Sequence, residues 1–452
     1  VLSIGVGRRE FLRVGSLALG ALASRAFADS PGGLTTGRSV IFLFLHGGPS
    51  QIETFDPKMN APAEVRSATG EIKTKVTGLT FGGSFPKLAA RADQFAVVRS
   101  FLTGDANHDI KPIVGKDSAG ANLGSMFAHV AGASDPVTGI PVNAALFPRA
   151  VDPAAMSHIT NFGDFLSPGP FGAAAAPFAP GGGGEMQRDL KLALPLDRLD
   201  DRRQLLTRLD QIKTGLDDVQ RAGVDSTRER ALRVLLGTVA EAFDLSREPA
   251  RLVARYDTAP LVRPENISTK WNNRKHYIDN AKTLGKLLLL ARRLCERGCK
   301  FVTVTTSFVW DMHADQNNAG MVEGMGYMGA PLDHALAAFL DDVHSRGLSE
   351  RILLVACGEM GRTPRINKNG GRDHWGNIAP LLLAGSGLRS GAVVGQSDKN
   401  AGEPGTEPVT NRHLIATIFQ SLFDMGKVRV LRGLPREIQA VTEWSPIPGL
   451  SS

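Results

Sequence analysis

Five short apolar runs punctuate the chain with no polar alternation inside them: 39–45 (SVIFLFL), 95–98 (FAVV), 301–306 (FVTVTT), 352–357 (ILLVAC) and 379–385 (APLLLAG). A strand with one wet face alternates apolar and polar residues, so unbroken runs predict strands covered on both faces, as in a parallel sheet. Between and after these runs the spacing changes to the helical period. Segment 331–347 sets Leu332, Leu336, Phe339, Leu340 and Val343 on one face and stops at Gly347, and 280–298 and 410–426 repeat the pattern. Strand runs separated by amphipathic helices predict an α/β, doubly wound domain with a mainly parallel sheet. The middle of the chain differs. Residues 169–186 are low in complexity and loop-like, while 196–223 and 228–245 read as charged amphipathic helices. They predict a helical insertion over about residues 185–260, packed on the sheet rather than folding as a separate domain. No internal repeat is evident.

Length and composition narrow the class. A chain of 452 residues can bury one large core or two smaller ones. Its 50 glycines and 26 prolines predict long, turn-rich loops. Three cysteines, Cys295, Cys299 and Cys357, make no disulfide framework, and Cys295 and Cys299 lack the second pair that a zinc ribbon needs. The net charge of +7 includes four arginines and one glutamate within residues 1–28, so the remainder is about +4. That mild basic bias suits an anionic small-molecule or polysaccharide substrate. No motif or aromatic-interleaved basic stripe points to nucleic acid.

Residues 1–28 read as an export leader. Arg8 and Arg9 precede Phe11 and Leu12, an apolar stretch covers 14–23, and Ala26-Phe27-Ala28 offers a small-x-small cleavage site. The stretch is too short to span about 30 Å of hydrocarbon, so no stable transmembrane anchor is expected from it. The pattern resembles a twin-arginine signal, which implies the twin-arginine export machinery as a partner. It also implies a destination in the periplasm or cell envelope of a bacterium. Cleavage is expected after Ala28, with residues 29–452 forming the domain.

In open α/β sheets ligands bind beyond the carboxyl ends of strands, so the residues following each run carry the information. After 39–45 comes His46-Gly47-Gly48. After 95–98 come Thr103, Asn107 and His108. After 301–306 come Asp311 and His313. After 352–357 come Glu359 and Arg362, and a glycine-rich loop then carries Arg372, Asp373 and His374. His, Asp and Glu gathered at one edge suit zinc or another divalent ion, with magnesium, calcium and manganese as alternatives. Arg362 and Arg372 could hold anionic oxygens, because guanidinium offers paired donors. Each residue also has a plainer use: Asp311 as a turn cap, Glu359 and Arg362 as an ion pair, His374 as a packed loop residue, His46 as a partner for a strand-end carbonyl. His129, His158, His276, His334, His344 and His413 have no such setting. GGPSQ lacks the Lys-Ser/Thr ending of a phosphate-binding P-loop, and no G-x-S-x-G elbow is present.

Five stretches, FLFLHGGPSQIETFDPK, VVRSFLTGDANHD, FVTVTTSFVWDMHADQ, GEMGRTPRIN and GRDHWGNIAPLLLAGSGLRSGAVVGQSD, together resemble the exported domain-of-unknown-function 1501 family. That family is grouped with alkaline phosphatases and sulfatases, which implies an α/β/α sandwich with metals at the strand ends. The superfamily pattern expects an acid after the first strand, where this chain has His46. Thr103 and the Asn107-His108 segment stand in the nucleophile region. Asp311 and His313 are two apart rather than four, Glu359-Met360 replaces an Asp-His pair, and His374 fits the final histidine. The resemblance implies catalytic roles for His46, Thr103, Asn107 and His108. Arg362 and Arg372 would bind substrate, and Asp311, His313, Glu359, Asp373 and His374 would hold the metal. The activity implied is metal-dependent hydrolysis of phosphate or sulfate esters in the cell envelope. The alternative is a non-catalytic binding or assembly protein that keeps the fold and acts with another exported protein.

Overall fold

The first apolar run becomes β1 (Ser39–Phe44), buried along its whole length, and its neighbours in the sheet explain why. The computed structural model describes residues 33–135, 138–180 and 238–450; the expected export leader and most of the expected helical insertion lie outside the described residues. The remaining strands are β2 (Glu71–Lys73), β3 (Thr80–Gly82), β4 (Ala96–Leu102), β5 (Asn143–Leu146), β6 (Phe301–Thr305), β7 (Ile352–Cys357), β8 (Gly361–Arg362), β9 (His374–Trp375), β10 (Ala379–Gly385), β11 (Val393–Val394) and β12 (Val409–Thr410). Eight of them form one sheet in the order β11-β4-β10-β7-β1-β6-β5, with β12 also on β4. β2–β3 and β8–β9 are separate two-stranded ribbons.

Side chains alternate across a strand, and β1 feeds two cores. Ile41 and Leu43 pack with apolar residues of α3 (Arg274–Glu296) and α4 (Met321–Ser345), including Leu287 and Leu336. Val40, Phe42 and Phe44 pack on the other face with α2 (Leu123–Ala131) and α5 (Asn411–Leu422), including Met126 and Ile418. A fifth, short helix α1 (Gln51–Thr54) follows β1. The result is an α/β/α sandwich, and the double burial accounts for the missing polar alternation. Among the described residues no helix is long and apolar enough to cross a membrane.

The sheet is mainly parallel: β1 pairs parallel with β6 and β7, β5 with β6, and β11 and β12 with β4. β10 is the exception, antiparallel to both β4 and β7. Parallel neighbours need a crossover of a dozen or more residues that changes ends. Between β7 and β10 the chain instead makes the β8–β9 ribbon and stays at one end of the sheet. That reversal positions the site: the carboxyl ends of β1, β4, β6 and β7 share an edge with the amino end of β10.

Candidate metal centre

Close backbone contacts lock the loops at this edge together. The amides of Val309 and Trp310 donate to the His46 carbonyl at 3.2 and 3.1 Å. A Cβ on Gly47 would fall 2.6 Å from the Asp311 nitrogen, so only glycine lets the two loops meet. The loop after β8 docks on the same segment: the Arg372 amide donates to the Met312 carbonyl at 3.0 Å, and a Cβ on Gly371 would lie 2.1 Å from the His313 carbonyl. On the far side the Gly104 amide donates to the Gly376 carbonyl at 3.1 Å, and a Cβ on Gly376 would meet the Asp105 backbone at 2.2 Å. Four sequence-distant segments are thus fixed by backbone before any side chain is considered.

Upon that frame His108, Asp311, His313 and His374 turn four donor atoms to one point, all within 4.8 Å of one another. His374 Nε2 lies 2.8 Å from His108 Nε2, 2.7 Å from His313 Nε2 and 3.2 Å from Asp311 Oδ1. Asp311 Oδ1 is also 2.7 Å from His313 Nε2 and 3.4 Å from His108 Nε2. One N–H on His374 Nε2 can serve one acceptor, and three surround it. A cation satisfies all four donors at once. Bonds of about 2.0–2.1 Å to a tetrahedral ion set the ligand atoms ~3.3 Å apart, close to this spread.

The atoms behind the donors orient them. His108 Nδ1 faces Glu359 Oε1 at 2.8 Å, so a proton on Nδ1 leaves the Nε2 lone pair aimed at the centre. His313 Nδ1 faces Asp373 Oδ1 at 3.4 Å, and Asn367 holds that carboxylate at 3.0 Å. Asp311 accepts from Arg362 Nη2 at 2.7 Å through Oδ1 and from Asn318 Nδ2 at 3.2 Å through Oδ2. Burial raises the Asp311 pKa, but the hydrogen bonds from His108, His313 and His374, with the charge of Arg362, outweigh it and hold the carboxyl well below its usual range. Burial lowers the His108 pKa, and its bonds to Asp311 and Glu359 reverse this to a net rise. His374 is raised by its bond to Asp311, yet burial and the positive Arg362 leave it lowered. Phe162 and Phe308 stack with centroids 4.8 Å apart and flank the His108 ring at 5.1 and 4.7 Å.

The geometry sorts the expected residues into a donor set, a layer behind it and positions outside it. His108, expected in a catalytic role, sits in the donor set. Glu359 and Asp373, expected as metal ligands, stand one layer back; both Glu359 oxygens already take the Gly47 amide, at 2.9 and 3.2 Å. Arg362 and Arg372, expected to bind substrate, are buried with their guanidinium groups spent inside the protein. Arg362 binds Asp311 and the carbonyls of Gly47 and Gly48. Arg372 pairs with buried Glu53 at 2.9 Å and donates to the carbonyls of Val65 and Arg66. Thr103 donates to the Gly376 carbonyl at 3.4 Å, and exposed Asn107 caps its amide on Asp105. His46 lies outside the cluster, its ring edge-on to Phe44, Phe162, Phe165 and Phe308, with Nε2 unpartnered. Asn318, Asn367 and Glu53, which steady the site, were absent from the expected set; the NN pair after Asp315 was the one signal in the sequence for Asn318.

The family model described as "Protein of unknown function (DUF1501)" matches residues 37–433. No curated protein matches the chain. Among solved structures, a phosphonate monoester hydrolase from Silicibacter pomeroyi is similar at 11% identity and a TM-score of 0.32, over 85% of this chain and 73% of that one. A sulfatase from Pseudoalteromonas sp. is similar at 11% identity and a TM-score of 0.33, over 91% of this chain and 71% of that one. The TAB5 alkaline phosphatase, as a His-to-Asp mutant with magnesium bound, is similar at 12% identity and a TM-score of 0.28, over 91% of this chain and 99% of that one. Scores this low leave the chemistry to rest on the site's own atoms.

Proposed function

The chain belongs to the family of proteins of unknown function DUF1501, and from that premise we propose that it is a metal-dependent hydrolase of phosphate or sulfate esters. The observation that carries this reading is the convergence of three imidazole nitrogens and one carboxylate oxygen within 4.8 Å. The nitrogen-rich set favours zinc over the oxygen-loving magnesium and calcium, with manganese between them. A bound divalent ion would supply polarisation of an ester oxygen and activation of water. The chain's own residues do the rest. Glu359 and Asp373 fix the ring orientations of His108 and His313, Arg362 holds Asp311, and stacked Phe162 and Phe308 wall one side against water. Thr103 spends its hydroxyl on Gly376, so the reading assigns the attack to water rather than to that side chain. Purified protein should contain zinc and hydrolyse 4-nitrophenyl phosphate or sulfate, and Asp311→Asn should lose both. Metal-loaded protein inert toward both ester classes would sink the hydrolase reading.

One observation favours the second reading, a metal-holding binding or assembly protein of the envelope. The two arginines expected to clasp an anion, Arg362 and Arg372, are fully buried. Loaded protein that retains a polysaccharide or another exported protein without turnover would establish it. We also propose export by the twin-arginine route, from the Arg8-Arg9 pair and Ala26-Phe27-Ala28. Replacing Arg8 and Arg9 with lysine should leave uncleaved precursor in the cytoplasm, and undiminished export would refute it.

A further inference from the structure

We propose that the centre takes one cation per chain, because the guanidinium of Arg362 already occupies the place beside Asp311 that a second one would need. This rests on the reading of the cluster as a metal centre and goes further, to how many ions it admits and what keeps the next one out. Two-metal sites hold their ions about 3.5–4 Å apart and share carboxylates between them. Asp311 is the one carboxylate in the four-donor set. Its Oδ1 faces the three histidines and takes Arg362 Nη2 at 2.7 Å. Its Oδ2, the atom that would reach another ion, accepts from Asn318 Nδ2 at 3.2 Å.

Arg362 is not free to leave. Its side chain is fully buried. Nε donates to the Gly48 carbonyl at 2.7 Å, Nη2 also binds the Gly47 carbonyl, and Nη1 donates to the Arg372 carbonyl at 3.3 Å. Gln51 clamps the Arg362 backbone on both sides, accepting from its amide at 3.0 Å and donating to its carbonyl at 2.8 Å. Of the two acids behind the donors, Glu359 is committed to the Gly47 amide and to His108 Nδ1, and Asp373 lies on the far side of the His313 ring with Asn367 on its Oδ1. Among the described residues the four-donor cluster is the one gathering of three or more His, Cys, Asp or Glu ligand atoms around a point. A second divalent ion beside Asp311 would meet a fixed positive charge and no second carboxylate within the donor set.

The internal cation has a second effect. It compensates Asp311 when no ion is bound, so the carboxylate is held in place while sharing its charge. Losing Arg362 would leave Asp311 undivided for an incoming ion and open the space beside it. The test is zinc stoichiometry and affinity on the metal-stripped full chain, by calorimetry and by elemental analysis after gel filtration. Wild type should bind one equivalent, and so should Arg362→Lys, which keeps a cation. Arg362→Met, which removes the fixed charge and opens the space beside Asp311, should admit a second equivalent. Two equivalents in wild type would overturn the proposal while leaving the hydrolase reading intact, and none would overturn both. One equivalent in wild type with an unchanged count in Arg362→Met would remove Arg362 from the explanation. Should Arg362→Met fail to fold, the wild-type count alone still decides whether the site is single.

Discussion

His46 is walled by four phenylalanine rings, and burial pushes its pKa from 6.5 down to about 4. The unfolded chain protonates this ring near 6.5, so between those values the unfolded state binds more protons and stability rises with pH. The contribution is full above about pH 6.5, is lost as pH falls, and levels off near 4. His46→Leu should remove this dependence: urea unfolding at pH 7 and 4.5 should show an acid loss smaller than wild type's by roughly 2–3 kcal/mol. Equal losses in the two proteins would contradict it. Glu359 makes a second residue-scale case. Glu359→Gln offers an amide donor to His108 Nδ1, which drives the imidazole proton onto Nε2 and away from the ligand role. Zinc affinity should fall about 10- to 100-fold with the far-UV spectrum unchanged, read by competition with a fluorescent chelator. An unchanged affinity would show that Glu359 does not set the tautomer. In the sequence the acids and histidines at strand ends were visible, but their layering was not, because Glu359 and His108 stand 251 positions apart and only the fold brings them into contact. The partners of the arginines were hidden for a related reason: Glu53 and Asp311, which draw Arg372 and Arg362 inward, come from distant segments.

At the scale of elements, five strands of the large sheet and their mainly parallel sense were legible, and the reversal of β10 was not. An apolar run reads the same from either end, so 379–385 announced a buried strand without announcing that β10 runs against its neighbours. The helix over 331–347 was legible in its apolar face, but Pro331 reads as a first-turn proline. α4 instead begins at Met321 and carries Pro331 inside it. Its opening turns pack Met325 and Met328 into the core, spacing that a proline ahead of the clearest periodicity conceals. The β8–β9 ribbon also depends on close backbone approach. Gly376→Ala would push its Cβ into the Asp105 backbone, which lies 2.2 Å away, and part the loop of His108 from that of His374. Zinc affinity should drop about tenfold or more while the sheet persists, as read by calorimetry beside circular dichroism. Wild-type affinity would mean that the loops are held by something other than this contact.

Across the whole molecule, two cores hold one sheet between them, and the donor set joins the loops after β4 and β6 with the start of β9 at a single edge. An ion bound only by the folded chain stabilises it by mass action, about 4 kcal/mol at a thousandfold excess over Kd. Stripping the ion with a chelator should therefore lower the melting temperature by several degrees, and zinc should restore it. Protein that contains zinc yet melts identically after stripping would show that the ion sits away from the fold's weakest joint. The layered architecture was readable because double burial leaves its mark in β1, β6, β7 and most of β10.

The order of the donors along the chain carries a consequence for biosynthesis. His108 leaves the ribosome 266 residues before His374, a gap on the order of tens of seconds at about 5–20 residues per second. Until Asp311 and His313 emerge one imidazole waits without its companions, and until His374 emerges no four-donor set exists to discriminate between ions. On the metal reading proposed above, the ion would be chosen late, in whichever compartment the His374 loop is folded onto the sheet. If that compartment is the cytoplasm and the finished chain is exported folded, the ion it carries is set by cytoplasmic supply, whatever metals crowd the space outside.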